Sequence, residues 1–290
     1  MKQVILITAY KDLDFLSNIL EYFDNDFDFY IHVDKKCKED VAFLRSDSRV
    51  HVYSKYRIEW GGSNHIFAIV LLIQEAFKVE KYEYYHLITG SDLPIKSLSE
   101  FKTYFENRRY DNFIEYFQLP QLNWGYDGGY NRICYYSLAL NLFDFRGKWG
   151  KMNHNIVRVQ KALKFKRSFN FFDEKLWGGG TYWSLSASGM ESIVFYLDKN
   201  PKYIKRFKYT AVGEEIFFQT ILLNELELKP HNNSLRYIVW SSDDIGPKTL
   251  GLEDFESISQ SNCFFARKFD TEKSIELMKL FVTQNDLRKN

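Results

Sequence analysis

The chain has 290 residues, and its mass of 34.6 kDa suits one large α/β domain. Its 39 basic and 38 acidic residues give a net charge of +1, a balance that disfavours nucleic acid as a partner. No uninterrupted apolar run reaches the roughly 20 residues that cross a bilayer, which argues against a membrane-spanning helix. Three widely spaced cysteines without a CxxC pair favour a reducing compartment.

The first half of the chain alternates two periodicities. Apolar residues recur at helical spacing in two stretches, 15–23 and 66–73. Short β-rich runs predict strands at 4–9, 27–33, 50–53 and 84–89. The first of these runs is too short for a secretory signal. The alternation predicts a mainly parallel sheet, whose ligands bind beyond the carboxyl ends of its strands.

The second half is less regular. Residues 112–172 are aromatic and irregular, and we interpret them as an inserted acceptor-side region. Three glycines at 178–180 permit a turn before a β-rich run at 181–185. Helices are predicted at 187–197 and 214–224, and extended segments near 235–240 and 264–269. No Pro-rich linker divides the chain, so we expect a single domain.

Two acids follow predicted strands and are candidate contacts for a nucleotide-containing ligand. Asp34 ends an apolar strand, where a carboxylate can accept hydrogen bonds from a ribose or a base edge. The alternative is a strand end capped by solvated charges. Asp92 follows the strand at 84–89, and its alternative role is to cap a turn.

Metal-dependent nucleotide-sugar enzymes need two carboxylates near the position of Asp92, and only one is present. Asp24, Asp26 and Asp28 form a rival DxDxD pattern, but they lie before a strand, at the end opposite to the expected ligand. Asp243 and Asp244 form another pair. We interpret both groups as solvated loops and predict no metal and no cofactor.

If no metal neutralises a departing diphosphate, basic side chains must do so. Arg267 and Lys268 are the best candidates, because the neighbouring phenylalanines indicate a buried or half-buried strand. Adjacent side chains of a strand point to opposite faces, so one of the two faces the ligand directly. We favour Lys268, with Arg267 as a structural residue or a second contact.

An enzyme that transfers a group to a hydroxyl also needs a general base, which takes the proton of that hydroxyl as it attacks. Glu214 and Glu215 lie at a predicted helix start, before an apolar stretch. Adjacent helical residues diverge by about 100°, so one carboxylate can cap the helix while the other points into a cleft.

Six segments in order along the chain carry a resemblance to a known family. They are Tyr30–Lys36, Trp60–Gly62, Leu87–Lys96, Gly179–Leu185, Glu215–Thr220 and Phe264–Asp270. Together they resemble the Core-2/I-branching β-1,6-N-acetylglucosaminyltransferase family, which also contains the peptide O-xylosyltransferases. Each motif is weak alone, and the ordered set is specific.

The resemblance implies a GT-A-type Rossmann-like glycosyltransferase fold, a UDP-sugar donor, inversion at the anomeric carbon and no required metal. The catalytic base of the family matches Glu215, and Glu214 takes the preceding acidic position. The diphosphate-binding lysine matches Lys268, and Asp34 matches the acid that closes the nucleotide-side strand.

Other positions depart from the family pattern. Tyr10 stands where many members carry His, so a contact specific to that His is not expected. Lys248 is our choice for a second diphosphate contact. Trp124, Arg132 and Trp183 are candidate acceptor-binding residues, and core packing or surface pairing is the alternative for each. Glu214 is a fourth candidate, and capping of the helix is its alternative.

We therefore predict a single domain over 1–290, with 1–110 as the nucleotide-binding half and 111–290 as the acceptor and catalytic half. It moves N-acetylglucosamine from UDP-GlcNAc to a hydroxyl of a glycan or lipid-linked saccharide in surface polysaccharide biosynthesis. The alternatives are a UDP-xylose-dependent xylosyltransferase, a metal-dependent transferase, and a non-catalytic carbohydrate- or nucleotide-binding module.

The expected location is cytoplasmic, with peripheral contact at the inner face of the membrane. Basic stretches at 161–167 and 202–208 suit an anionic membrane that carries the acceptor, and a solvated surface is the alternative.

Overall fold

The computed structural model describes residues 1–79, 81–125, 127–144, 148–240 and 246–287. Its strands are β1 (Gln3–Ala9), β2 (Phe27–Val33), β3 (Val50–Tyr53), β4 (Tyr84–Thr89), β5 (Asp92–Pro94), β6 (Phe113–Ile114), β7 (Phe117–Gln118), β8 (Trp177–Gly178), β9 (Trp183–Ser186), β10 (Arg236–Ile238) and β11 (Phe265–Arg267).

Its α-helices are α1 (Leu16–Tyr22), α2 (Ala42–Arg45), α3 (Asn64–Val79), α4 (Leu98–Asn107), α5 (Asn131–Cys134), α6 (Lys148–Ala162), α7 (Ala187–Lys199), α8 (Pro201–Arg206), α9 (Glu214–Glu225), α10 (Phe255–Gln260) and α11 (Ile275–Leu287). No described helix is both long and apolar enough to cross a bilayer.

The central sheet has the strand order β3-β2-β1-β4-β9-β6. Strands β1 to β4 are parallel, β9 is antiparallel to β4, and β6 is antiparallel to β9. Strand β6 therefore runs in the same direction as β4. The chain moves outward from β1 to β3 and returns through α3 to β4 on the other side of β1. This reversal creates a switch point between β1 and β4, where ligands of such sheets bind.

Helices cover both faces of the sheet, which explains why β1 is apolar on both sides. Val4 and Leu6 pack into a cluster with α3, α7 and α9. Ile5 and Ile7 pack into a second cluster with α1, α4 and the segments around β11. Every residue of β1 and β2 is buried. The edge at which β1 to β4 end, here called the carboxyl edge, is therefore held by a core on each side.

A smaller sheet has the order β10-β11-β5. Strand β11 is antiparallel to β5, and Arg267 lies opposite Asp92 in the register. Because β5 begins three residues after β4 ends, this pairing brings the end of β11 back to the carboxyl edge.

The sequence-based elements of the first half are confirmed. The strands at 27–33, 50–53 and 84–89 have the predicted limits, and β1 begins one residue earlier than predicted. The mixed α/β fold with a mainly parallel central sheet flanked by helices is also confirmed.

The expectation of an irregular middle was wrong in two respects. Residues 148–162 form α6, and the two-residue strand β6 extends the central sheet. The apolar positions of α6 are sparse, since it buries only Gly150 and Asn153, so its sequence lacks the stripe that marks a packed helix. A two-residue strand is too short to show an alternating pattern.

Candidate active site

A crevice opens at the switch point between β1 and β4. The residues that follow β1, Tyr10 to Asp12, form one wall, and Gly90 and Ser91 after β4 form another. Lys268 and Phe269 close the third side. Residues just after strand ends thus line the crevice, as the sequence predicted for a parallel sheet.

Lys268 follows β11 and is the basic residue of the predicted pair that lines this crevice. The Phe269 N–H donates to the Ser91 carbonyl (2.9 Å), which fixes this segment against the loop after β4. Lys11 lies in the same crevice, with its Nζ 2.7 Å from Asp12 and 3.9 Å from Asp270. Two lysines therefore line the crevice, and Lys11 is ion-paired with Asp12.

Arg267 points away from the crevice and towards the protein interior. Its Nη1 lies 3.4 Å from Asp92 Oδ1, and its guanidinium lies over the Tyr182 ring at 4.4 Å. Its side chain is only 11% exposed. This geometry favours the structural role that the sequence allowed for Arg267, and it agrees with the alternation of side chains in β11.

The two strand-end acids are buried and engaged with the protein. Asp34 is 2% exposed, and its carboxylate accepts hydrogen bonds from the N–H groups of Lys36 (2.8 Å) and Ile58 (3.2 Å). Asp92 is fully buried and accepts from the N–H (2.9 Å) and hydroxyl (2.8 Å) of Thr89. These hydrogen bonds give both acids a role in shaping the loops at the carboxyl edge, and their contact with a donor stays a prediction.

Lys248 is held by other carboxylates. Its Nζ lies 2.8 Å from both oxygens of Asp254 and 3.0 Å from Glu253, and these acids raise the pKa of the lysine. Only its backbone approaches the crevice, where its carbonyl accepts from the Lys268 N–H (3.4 Å). The prediction that Lys248 contacts a diphosphate is therefore not supported by this geometry.

Glu215 occupies the first turn of α9 and forms an ion pair with Arg132. The Arg132 Nη1 lies 2.5 Å from Glu215 Oε2. The guanidinium of Arg132 stacks on Trp124, 3.7 Å from the ring centroid, and Trp124 packs edge-on against Phe117. Because an aromatic face holds the guanidinium, Arg132 has one fixed orientation towards the carboxylate.

Burial raises the pKa of Glu215 to about 7. The positive charge of Arg132 lowers it, and the negative charges of Glu214 and Glu115 raise it further. A carboxyl group with a pKa near neutrality can accept a proton and release it again at physiological pH. Glu215 therefore has the titration behaviour that a general base requires.

Glu214 points in a different direction and is buried. Its Oε1 lies 3.3 Å from His65 Nδ1, and His65 Nε2 lies 3.2 Å from the hydroxyl of Thr8, near the end of β1. Its Oε2 is buried without a hydrogen-bond partner in the described part of the chain. The acceptor contact of Glu214 stays a prediction, and in this structure the side chain connects α9 to the end of β1 through His65.

A glycine segment brings the two halves of the site together. The Gly179 N–H donates to the carbonyl of Glu215 (2.9 Å), and three residues later Tyr182 stacks on Arg267, next to Lys268. Three residues span at most about 11 Å. The carboxylate of α9 and the lysine after β11 thus flank one short segment at the carboxyl edge.

A family model for the Core-2/I-branching enzyme matches residues 5–261 of the chain. The chain belongs to the Core-2/I-branching enzyme family. It is a glycosyltransferase with a GT-A-type Rossmann-like fold, and the family implies a nucleotide-sugar donor and a glycan acceptor.

The other comparisons are weaker. No curated protein matches the chain significantly. The structure of S. aureus TarS 1–349 shares 16% identity with a TM-score of 0.30, over 39% of this chain and 35% of that one. A structure of S. aureus TarS shares 15% identity with the same TM-score, over 39% of this chain and 21% of that one. The likeness covers a minority of each protein and assigns no function.

The sequence did not indicate Glu115, which this Core-2/I-branching enzyme carries directly after β6. Because β6 runs parallel to β4, Glu115 lies at the carboxyl edge. A Cβ on Gly180 would lie 2.8 Å from Glu115 Oε2, and one on Gly179 would lie 1.9 Å from its carbonyl oxygen. The glycines at these positions therefore allow Glu115 to approach the start of α9. The sequence signal for Glu115 would have been an acid directly after a strand. Strand β6 has only two residues, which is too short to be recognised from the sequence.

Of the other three acceptor candidates, two lie beside Glu215 and one lies in the central sheet. Arg132 and Trp124 are partly exposed and flank Glu215. Trp183 is fully buried in β9, where it packs against Phe218. Its predicted contact with a sugar stays a prediction, and this packing favours the alternative of a core residue.

The acids of the alternative metal site before β2 are engaged in ion pairs with lysines. Lys102 pairs with Asp24 (2.9 Å) and with Asp26, and the Asp28 carboxylate pairs with Lys2 (2.8 Å). These three acids lie at the start of β2, opposite the carboxyl edge. Asp243 and Asp244 lie outside the described residues. Within the described ranges, no three His, Cys, Asp or Glu side chains form a group that could hold a metal ion.

The raised pKa of Glu215 predicts a stability change that needs no activity assay. Between the ordinary carboxyl pKa of 4.5 and about 7, the folded state holds a proton that the unfolded state has lost. Rising pH therefore lowers the free energy of unfolding in this window, by up to about 3 kcal/mol. Glu215→Gln removes this loss of stability. The melting temperature of the variant minus that of wild type should therefore increase as the pH is raised from 5 to 8.

The matched control is Glu227→Gln, which neutralises an exposed carboxylate just after α9. Thermal unfolding of this variant should follow wild type across the same pH range. Parallel curves for Glu215→Gln and wild type would contradict the assignment of a raised pKa to Glu215.

Proposed function

We propose that this Core-2/I-branching enzyme transfers N-acetylglucosamine from UDP-GlcNAc to a hydroxyl of a glycan, with inversion and without a metal ion. The acceptor that we propose is a glycan or lipid-linked saccharide used in surface polysaccharide synthesis at the cytoplasmic side. The observation that carries the proposal is the ion-paired, partly buried Glu215 at the same sheet edge as the crevice of Lys11 and Lys268.

In the proposed reaction, the acceptor oxygen attacks the anomeric carbon as the bond from that carbon to the UDP oxygen breaks. Glu215 takes the hydroxyl proton, and the electron pair of the broken bond leaves with UDP. Inversion follows because attack and departure occur on opposite faces of the sugar. After transfer, the proton on Glu215 passes to solvent, which a pKa near 7 permits.

Negative charge grows on the diphosphate during this step. Lys268, and Lys11 beside it, are the described cations of the crevice that can approach this charge. Fixed positive groups stabilise a transition state when they are already placed where the charge develops. The hydrogen bond from Phe269 to Ser91 supplies this placement for Lys268.

Arg132 has a second role in the proposal. It lowers the pKa of Glu215 and so keeps part of the population ionised despite burial. An acceptor hydroxyl that enters next to Trp124 meets a carboxylate whose orientation the stacked guanidinium has fixed. The partly exposed indole offers an apolar face, which suits the C–H surface of a sugar ring.

Glu215→Gln should lower transfer by a factor of about a thousand or more and leave UDP binding unchanged, because only the proton acceptor is lost. UDP release is measured in excess EDTA with UDP-GlcNAc, UDP-xylose and other UDP-sugars, with and without candidate glycans. EDTA-resistant release that requires Glu215 identifies the donor. Activity equal to wild type in the variant contradicts the role of base.

Release with UDP-xylose alone would replace GlcNAc by xylose in the proposal. Activity lost in EDTA and restored by a divalent cation would contradict metal independence. UDP binding without release from any donor, across the acceptor panel, would favour the non-catalytic binding module.

Lys268→Ala should weaken UDP binding by about tenfold to a hundredfold, since one charged contact to the diphosphate is lost. Lys248→Ala is the matched control, because it removes an ammonium group that Asp254 and Glu253 already hold. Its affinity for UDP should stay within about twofold of wild type. Calorimetric titration of UDP into both variants measures the two affinities. A larger loss of affinity in Lys248→Ala than in Lys268→Ala would assign the diphosphate contact to Lys248.

Glu214→Gln should shift the acid limb of kcat/KM to lower pH, by about half a unit or more. The reason is that Glu214 contributes a negative charge that raises the pKa of Glu215. The pH profile separates this effect from a purely structural one, which would lower kcat/KM at every pH alike. An unmoved limb would show that Glu214 does not tune the base.

A further inference from the structure

Helix α6 has one buried face and one exposed face. Gly150 and Asn153 are buried, whereas Lys151, Met152 and Arg158 are exposed. The exposed positions recur at intervals of three, four and seven residues, which places them on one side of the helix. This outer face includes Lys148, Lys151, Met152, Asn155, Arg158 and Val159.

The charge of this region has a single sign. The sequence contains no Asp or Glu from position 145 to position 172. Within 148–167 it contains seven basic residues: Lys148, Lys151, Arg158, Lys161, Lys164, Lys166 and Arg167. The whole chain is nearly neutral, so this segment is a local concentration of positive charge.

Apolar side chains lie beside these charges and are exposed. Met152 is 37% exposed, Val159 58% and Leu163 73%. Met152 and Val159 are seven residues apart, and the Leu163 N–H donates to the Val159 carbonyl (2.9 Å), so the three form one row. Lys151 and Arg158, also seven apart, form a parallel basic row. A basic row beside an apolar row is the pattern of helices that lie in a membrane interface.

The outer face is anchored near the proposed acceptor side. The Arg167 N–H donates to the carbonyl of Cys134 (2.9 Å), two residues after Arg132. Arg167 also donates to the carbonyl of Arg206 (2.6 Å), which brings the basic helix α8 next to this segment. The segment that follows α6 is therefore attached to the short helix α5, which supplies the partner of Glu215.

We propose that the outer face of α6, extended by Leu163 and Phe165, binds the surface of an anionic lipid bilayer. The basic row meets the lipid phosphates, and Met152, Val159 and Leu163 enter the region of the headgroups and upper acyl chains. The phosphate backbone of a nucleic acid would match only the basic row and would leave the apolar row in water. This inference goes beyond glycosyl transfer and does not depend on which sugar is moved.

The test is co-sedimentation of the full chain with vesicles of phosphatidylcholine, alone and in an equal mixture with phosphatidylglycerol. Wild type should bind the mixed vesicles at least about tenfold more tightly, and added salt should weaken the binding. The double variant Lys151→Glu/Arg158→Glu should lose at least about tenfold in affinity for the mixed vesicles. Val159→Ser/Leu163→Ser should also weaken binding, because the apolar row is removed.

The matched control is Lys78→Glu/Lys279→Glu, which makes the same charge change on exposed faces of α3 and α11. It should bind the mixed vesicles as wild type does. Thermal unfolding verifies that every variant is folded, and the exposure of the substituted side chains favours this. Equal binding to both vesicle types, or an equal loss in the control, would overturn the proposal.

Two further results would count against it. Unchanged binding of Val159→Ser/Leu163→Ser would show that charge alone acts, as expected for a general polyanion site. Binding to duplex DNA without binding to mixed vesicles would assign the surface to nucleic acid. Because vesicle binding is measured without substrates, failure here leaves the proposed transfer reaction intact, and failure of that reaction leaves this surface intact.

Discussion

The site depends on a carboxylate that is partly removed from water and still close to an opposite charge. Burial alone would keep Glu215 protonated, and the guanidinium of Arg132 alone would keep it ionised. The balance between the two sets the pKa near neutrality. Trp124 maintains this balance, because stacking prevents Arg132 from turning away into solvent. A proton acceptor at this place therefore requires the aromatic ring as much as the acid.

Adjacent residues of α9 have separate tasks because a helix turns by about 100° at each step. Glu215 is partly exposed and pairs with Arg132, while Glu214 reaches inward to His65 and, through it, to Thr8. The inner carboxylate fixes the start of α9 relative to β1 and adds negative charge behind the base. The same rotation that separates the side chains thus connects the catalytic helix to the sheet.

The sequence predicted the regular part of this protein well. The strands β1 to β4 are continuous apolar runs in a sheet that is covered on both faces, so their limits follow from composition. Lys268 and Glu215 lie where the family motifs and the strand-end rule placed them. Their side-chain directions followed from the periods of a strand and a helix.

Other features depend on tertiary contacts that a sequence does not display. Asp34 and Asp92 look like ligands because they follow strands. Their oxygens accept hydrogen bonds from backbone N–H groups, two of them close in the chain (Lys36 and Thr89) and one in a distant loop (Ile58). Trp183 looks like a sugar platform but belongs to the central sheet. Helix α6 has few apolar contacts inward, so its pattern indicated an irregular segment. Each of these features concerns burial, which is decided by elements far apart in the chain.

The glycine segment at 178–180 limits how this enzyme can change over time. A side chain at Gly179 would overlap the carbonyl of Glu115, so the backbones of two elements touch where other proteins place side chains. Contact between backbones is independent of side-chain identity on either partner. The side chain of Glu115 can therefore be exchanged for another without separating β6 from the start of α9. Because Gly179 maintains this backbone contact, side chains around it can vary without moving α9. New acceptor preferences can therefore arise around an unchanged base.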